Sequence, residues 1–175
     1  ELPFYFVQIT PFCYRGDSGD LTARLRAAQA AALALPRTGM AVTLDVGDAK
    51  DIHPRNKQPV GARLARHALA DWYGQSIDRD GPIAAHARRV GGAMRVTFEE
   101  SGELKLVKGG CGFEVAGDDG VFHPATAAVE GLEVVVRSDA VAAPSQVRYA
   151  WSAVPPWSLC DGDMLPAPPF AMRVR

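Results

Sequence analysis

Within its first 44 residues the chain places a strand-like apolar run, an amphipathic helical stretch and a second strand-like run in that order, and no other feature constrains the fold as much. Residues 4–9 are aromatic and β-branched and stop before Pro11, the signature of a buried strand. The spacing of Leu21, Leu25, Ala28 and Ala32 predicts a helix over 21–35 with that stripe facing inward, Asp20 as its N-cap and Pro36 as its stop. Residues 40–44 then read as a second buried strand. A strand, a helix of this length and another strand form a βαβ unit, so the two strands are expected to lie side by side and parallel. The loop 45–54 leaves the carboxyl end of the second strand. That edge is where open α/β sheets gather ligands and catalytic groups. A second helix is expected from about Asn56, a plausible cap, with Pro59 in its first turn and Val60, Leu64, Ala68 and Trp72 toward a core.

Near residue 75 the pattern changes. Short β-type runs at 93–99, 103–108, 113–116, 122–129, 132–137 and 146–151 are separated by Gly- and Asp-bearing turns. Strands of this length and spacing predict a β-sandwich. Five prolines, Pro155, Pro156, Pro166, Pro168 and Pro169, mark the last stretch as an extended tail lying across a surface. The expected organisation is thus an α/β portion over 1–75 and a β-sandwich accessory domain over 76–175. Two strands and two helices do not complete a doubly wound sheet, because their apolar faces need further strands to cover them. The first 75 residues therefore read as the closing part of a larger α/β domain. The opening Glu1-Leu2-Pro3, with no Met, suggests a start within a longer polypeptide, by processing or a break.

Charge narrows the partners. With 19 basic and 20 acidic side chains the formal net charge is -1, leaving no basic excess to neutralise phosphates, so no nucleic-acid partner is expected. Because the apolar runs fall far short of the roughly 20 residues that cross a bilayer, no membrane partner is expected either. The three cysteines, Cys13, Cys111 and Cys160, are far apart and form no CxxC pair. They predict no zinc site and at most one disulfide.

The stretch Asp48-Ala49-Lys50-Asp51-Ile52-His53-Pro54 carries the chemistry. A hydrolase needs a histidine to take the proton of a nucleophile and a carboxylate to hold that histidine's tautomer. An Asp two residues before a His, just past a strand, has the right residue types, although such a triplet also occurs in ordinary solvated loops. His67, His86 and His123 read as structural, Trp151 as a core residue, and Trp157 as either a core residue or a platform for a sugar ring. Gly16-Asp17-Ser18-Gly19 looks like the start of a nucleophile motif, but Pro11 to Arg15 separate it from the first strand. A nucleophile turn follows its strand directly, so Ser18 is read as shaping the entry to the helix.

Several strings together resemble one family. Residues 51–61, Asp-Ile-His-Pro-Arg-Asn-Lys-Gln-Pro-Val-Gly, are similar to the His-bearing block of the sialate O-acetylesterase-like carbohydrate esterases of the SGNH hydrolase superfamily. Residues 2–8 resemble that family's LPFYFVQL strand, 25–29 its LREAQ helix and 38–43 its TGMAVT strand. Residues 112–117 resemble GFEIAG, 147–151 VRYAW and 166–170 its LPASPF ending. The similarity runs in the family's order along nearly the whole chain.

The resemblance implies the C-terminal part of an SGNH-type, flavodoxin-like α/β/α domain followed by a β-sandwich-like domain, and a serine esterase that removes acetyl groups from sugar hydroxyls. His53 matches the catalytic base and Asp51 the orienting acid. The superfamily's Asp-x-x-His spacing falls on Lys50 in this chain, so Asp51, Asp48, Asp45 or no carboxylate completes the set. The family's Gly-Gln-Ser-Asn-like nucleophile block and its oxyanion block have no counterpart here, which implies a partner: an N-terminal fragment of the same enzyme carrying the serine. An acetylated carbohydrate is the implied substrate, no metal or organic cofactor is implied, and a secreted or periplasmic location is expected. The competing reading is a non-catalytic carbohydrate-binding or scaffold protein on a degenerate esterase fold.

Overall fold

The computed structural model describes residues 2–17, 19–99 and 102–174. Ser18, and the Glu100-Ser101 part of one expected turn, lie outside the described residues. The first strand, β1 (Phe4–Val7), pairs in parallel with β2 (Thr38–Ala41), in the register Phe4 to Thr38 through Val7 to Ala41. Helix α1 (Leu21–Ala31), extended by a 3₁₀ turn over Ala32–Ala34, makes the crossover between them. The expected βαβ unit is therefore present, with strands shorter than the apolar runs suggested. Backbone pairing continues past β1, since the Gln8 N–H donates to the Ala41 carbonyl at 3.0 Å.

The helix faces differ from expectation. Leu21 and Leu25 stand outward, 55% and 48% exposed, while Thr22, Ala23 and Arg26 are buried. Arg26 is wholly buried because its guanidinium has carbonyls to donate to: Nε to Ile9 at 3.0 Å, and its two terminal nitrogens to Ser152 at 2.8 Å and Ala153 at 2.9 Å. Capping also shifts. Asp20 makes no cap bond and pairs instead with Arg24 at 2.7 Å. Asp17 takes over the role, accepting from the backbone N–H of Gly19, Leu21 and Thr22 at 2.8, 3.1 and 3.0 Å and from the Thr22 hydroxyl.

Helix α2 (Gln58–Asp71) begins two residues after Asn56, with Lys57 at the cap position and Pro59 in its first turn. Proline suits that turn because its missing N–H has no partner there in any case. The helix buries Arg63 and His67 rather than an aliphatic stripe, and Trp72 just past its end is exposed.

The second half forms a seven-stranded antiparallel sheet. Its members are β3 (Ala84–Val90), β4 (Ala93–Phe98), β6 (Phe113–Ala116), β7 (His123–Glu130), β8 (Glu133–Arg137), β9 (Gln146–Tyr149) and β11 (Phe170–Arg173), in the order β11-β9-β6-β7-β8-β4-β3. A separate antiparallel pair joins β5 (Lys105–Leu106) to β10 (Leu159–Cys160). The proline-rich end is not a surface tail. Leu159, Cys160, Leu165 and Ala167 are buried, and β11 adds an edge strand to β9. Prolines interrupt this segment without exposing it, since each lacks only an N–H and retains an apolar ring.

One apolar cluster spans both halves, joining Met40, Val42 and Leu44 to Met94, Val96, Phe113, Val134, Val136, Val147 and Tyr149. The Tyr149 hydroxyl, buried beneath the C-terminal segment, accepts from the backbone N–H of Ser158 and of Leu159, both at 2.8 Å. Cys13, Cys111 and Cys160 are all free thiols.

Candidate active site

The parallel pair fixes one edge of the α/β portion. Both segments that leave the carboxyl ends of β1 and β2 run along it, and they are joined there. The Cys13 N–H donates to the Ala49 carbonyl at 3.1 Å. Gly47 lies so close to Pro11 that a Cβ on it would meet the ring Cδ at 2.3 Å. Only a residue without a side chain allows that approach.

On this edge the carboxylates of the loop after β2 are already committed. Asp45 accepts bidentately from Arg63, at 2.7 and 2.6 Å, while the same guanidinium donates to the Val42 carbonyl at 2.7 Å. Asp45 therefore ties the loop to α2. Asp48 accepts from the Lys50 N–H at 2.8 Å, and Asp51 from the His53 N–H at 2.8 Å. These are two successive local turns in which a carboxylate binds the amide two residues on.

Asp51 thus shapes the backbone that presents His53, and among the described residues its bond is to that backbone, not to the ring. Ile52 is 44% exposed and His53 is exposed beside it. Among the described residues the His53 imidazole has no hydrogen-bond partner. A free imidazole at the carboxyl edge of a parallel pair, on a loop stitched at Asp45, Asp48 and Asp51, can accept a proton from a group brought up to it. No three His, Cys, Asp or Glu side chains converge as a metal-binding group among the described residues.

The other histidines are elsewhere. His86 is exposed on β3 and His123 half-buried on β7. His67 lies buried in α2, its ring stacked on Tyr5 with centroids 5.5 Å apart and Asp80 Oδ1 3.8 Å from Nε2. Burial pushes its pKa down, against an opposing pull from Asp80, so the ring is neutral at neutral pH.

Of the two tryptophans, Trp157 takes the first of its two expected roles and Trp151 departs from the core position read for it. Trp157 packs against the core with the Lys108 ammonium 3.9 Å over its ring. Trp151 is half-buried and lines a cavity of about 540 Å³ bounded by Gly19 and Asp20 on one side and by Glu114, Arg148 and Pro156 on the other. The sequence carried a partial signal for this cavity in Trp151 itself. It carried none for the buried Arg26 that pins its wall, because an arginine in an amphipathic helix reads as a solvent-facing residue.

No family model matches the chain. It is 26% identical over 195 aligned positions to a sialate O-acetylesterase of Mus musculus and 27% identical to one of Rattus norvegicus. Each match covers 98% of this chain and 36% of the relative, so the chain spans about a third of the length of the curated relatives it matches. Its fold superposes on the crystal structure of a carbohydrate acetylesterase from Xanthomonas citri with a TM-score of 0.92 and 44% sequence identity, over 99% of this chain and 41% of that one. At this identity and coverage the likeness extends to sequence as well as fold, and the chain is similar along nearly its whole length to part of the sialate O-acetylesterase-like carbohydrate esterases.

Proposed function

We propose that the chain is the C-terminal part of a serine-type carbohydrate O-acetylesterase and supplies its histidine, the serine standing on an upstream segment or companion chain. One observation carries the reading. His53 is presented, with its ring unengaged, at the carboxyl edge of the only parallel pair among the described residues, on a loop fixed at three carboxylates. The relatives' acetylesterase names support the reaction class.

In this proposal residues 1–75 close an SGNH-type α/β/α domain and residues 76–175 form its accessory β domain. The serine hydroxyl attacks the acetyl carbonyl while His53 takes its proton. The imidazolium gives that proton to the departing sugar oxygen. His53 then draws a proton from water as it attacks the acetyl-enzyme, and acetate leaves with the serine restored. Asp51 is the orienting acid. Its second carboxylate oxygen is uncommitted among the described residues and is the atom available to the ring once the loop meets its partner segment. Oxyanion donors come from outside this chain. The substrate is an acetylated carbohydrate and the setting is secreted or periplasmic.

The test is His53→Ala in the whole protein, assayed on an acetylated sugar and on an aryl acetate. Loss of a general base predicts a fall in kcat of about 10³-fold or more. Asp51→Ala should cost less, and more than Asp48→Ala. Hydrolysis that survives His53→Ala overturns the assignment. A whole protein that binds sugars and never turns over an ester would instead fit the non-catalytic reading.

A further inference from the structure

We propose that the 540 Å³ cavity lined by Trp151, Glu114, Arg148 and Asp20 is a subsite for a neutral sugar ring of a glycan chain, separate from the position of the acetyl group; it rests on the esterase reading only for the statement that the ligand is a glycan. Its size falls within the range of about 300–1,000 Å³ usual for small-molecule sites. Its lining has the two kinds of surface that a sugar presents to: an indole for the apolar C–H face, and fixed planar polar groups for neighbouring hydroxyls.

The polar groups are preorganised. Glu114 accepts bidentately from Arg148, at 2.8 and 3.1 Å, and the Phe122 ring lies 4.0 Å beneath the guanidinium carbon. Both side chains are only partly exposed, 23% for Arg148 and 28% for Glu114. The carboxylate keeps unused lone pairs and the guanidinium keeps unused N–H groups, so one rigid unit offers an acceptor and a donor side by side. That arrangement matches two adjacent hydroxyls, each of which donates and accepts.

The backbone is bent to build this wall. Ala150, buried and non-glycine, holds φ +51 with its N–H donated to the Gly112 carbonyl at 2.9 Å. An alanine in this left-handed region is disfavoured because its Cβ crowds the following carbonyl oxygen. It turns the chain at the end of β9 so that Trp151 and Ser152 reach the cavity. Arg26 then holds Ser152 and Ala153 against α1. The opposite wall, Gly19 and Asp20, belongs to the segment that leaves β1 at the same edge as the His53 loop. The Cys13–Ala49 bond and the Gly47–Pro11 contact join the two segments. A chain lying in the cavity can therefore continue along that edge.

Charge selects the ligand class. Arg148 is already neutralised by Glu114, and Asp20 adds a carboxylate whose partner Arg24 lies on the helix exterior. An acidic sugar would bring its carboxylate toward Asp20 and Glu114 and find no unpaired guanidinium. A neutral hexose or pentose meets no such opposition.

Calorimetric titration of the whole protein with unacetylated cellohexaose, xylohexaose and a lactosamine oligomer, and with sialyllactose as the anionic probe, tests this without any ester turnover. Aryl acetate hydrolysis on the same samples reports separately on the esterase reading. At least one neutral oligosaccharide should bind, sialyllactose should bind at least tenfold more weakly, and Trp151→Ala should weaken the neutral ligand at least tenfold. Trp151→Phe, which keeps a ring, should recover part of the loss. Glu114→Gln, by freeing Arg148, should narrow the gap between sialyllactose and the neutral ligand, and it decides the matter if Trp151→Ala melts early. Binding unchanged by Trp151→Ala in a folded protein, preference for sialyllactose, or no binding of any probe each overturns the proposal.

Discussion

Asp17 and His67 respond to acid in different pH windows. Hydrogen bonds from the Thr22 hydroxyl and then the Gly19 amide pull the Asp17 carboxyl down to about 2. An unfolded aspartate titrates near about 3.9. The folded form therefore gains stability from Asp17 above that value and loses it as pH falls toward about 2. Asp17→Ala should lower the melting temperature at pH 7 while Asp20→Ala, which cuts only an exposed pair, changes it little. The gap between wild type and Asp17→Ala should close below pH 2; a gap that persists there refutes the cap. His67 works at higher pH. Its folded pKa is depressed, chiefly by burial, so below about 6.5 the unfolded chain takes a proton that the folded chain refuses. Stability should fall with falling pH from there, by at most about 1.4 kcal/mol per pH unit for one proton. His67→Phe keeps a ring against Tyr5 and should flatten that slope in urea titrations between pH 7 and 5. The same ring explains Gly39, where a Cβ would sit 2.6 Å from Nδ1. Gly39→Ala should cost about 1–3 kcal/mol in urea unfolding, the range for overpacking a filled core.

At the scale of elements, each helix docks through a buried arginine. Arg26 serves the carbonyls of Ile9, Ser152 and Ala153, and Arg63 serves the Val42 carbonyl and Asp45. Desolvation lowers the Arg26 pKa to about 10, which leaves it charged at neutral pH. Arg26→Met would strand three carbonyls and should destabilise the chain by about 3 kcal/mol, given about 1–3 kcal/mol for a single unsatisfied buried group. Arg26→Lys should recover little, because one ammonium cannot reach three divergent acceptors. An unfolding midpoint unmoved by Arg26→Met would remove the arginine as the joint between the halves. These arginines also mark the limit of what could be read beforehand. The stripe Leu21, Leu25, Ala28, Ala32 has helical spacing, yet the packed face is the one carrying Thr22, Ala23 and Arg26. Periodicity ranks residues by apolarity and is blind to an arginine whose donors are matched by carbonyls remote in sequence. Strands were legible where they sit inside the sheet: Phe113–Ala116 was expected with its observed bounds, with Phe113 and Val115 in the core and Glu114 between them only half-buried. The edge strands β3 and β11 gave little signal, since Ala84–Val90 has four exposed positions of seven and Phe170–Arg173 follows a proline run. His53 stood out by residue type and place in the loop, with an ordinary solvated loop as the alternative, and the resemblance supplied its role as base.

The whole molecule combines a closed core with an open flank. Met40, Val42 and Leu44 lie in the same cluster as the sheet's valines, so β2 is covered on the side facing the antiparallel sheet. On the other side β1 pairs with β2 alone among the described strands, which leaves one edge of β1 without a neighbour. Phe4 is 65% exposed, and Leu2, Leu21, Leu25 and Trp72 are exposed as well. Unpaired strand edges and exposed large apolar side chains favour association in water. The isolated 175-residue chain should therefore self-associate with rising concentration and brighten a dye that reports apolar surface. Leu21→Glu with Leu25→Glu should weaken that association without moving the unfolding midpoint by more than about 0.5 kcal/mol, the usual effect of exposed substitutions. Placing the same pair of glutamates in the whole protein separates two explanations. If the flank is the seat of the remaining polypeptide, as the proposed esterase requires, burying two carboxylates there should destabilise the whole protein far more than the isolated chain. Equal tolerance in both settings would mean that the flank stays open to solvent, and on the proposed reading the segment supplying the serine would then have to approach His53 from another side.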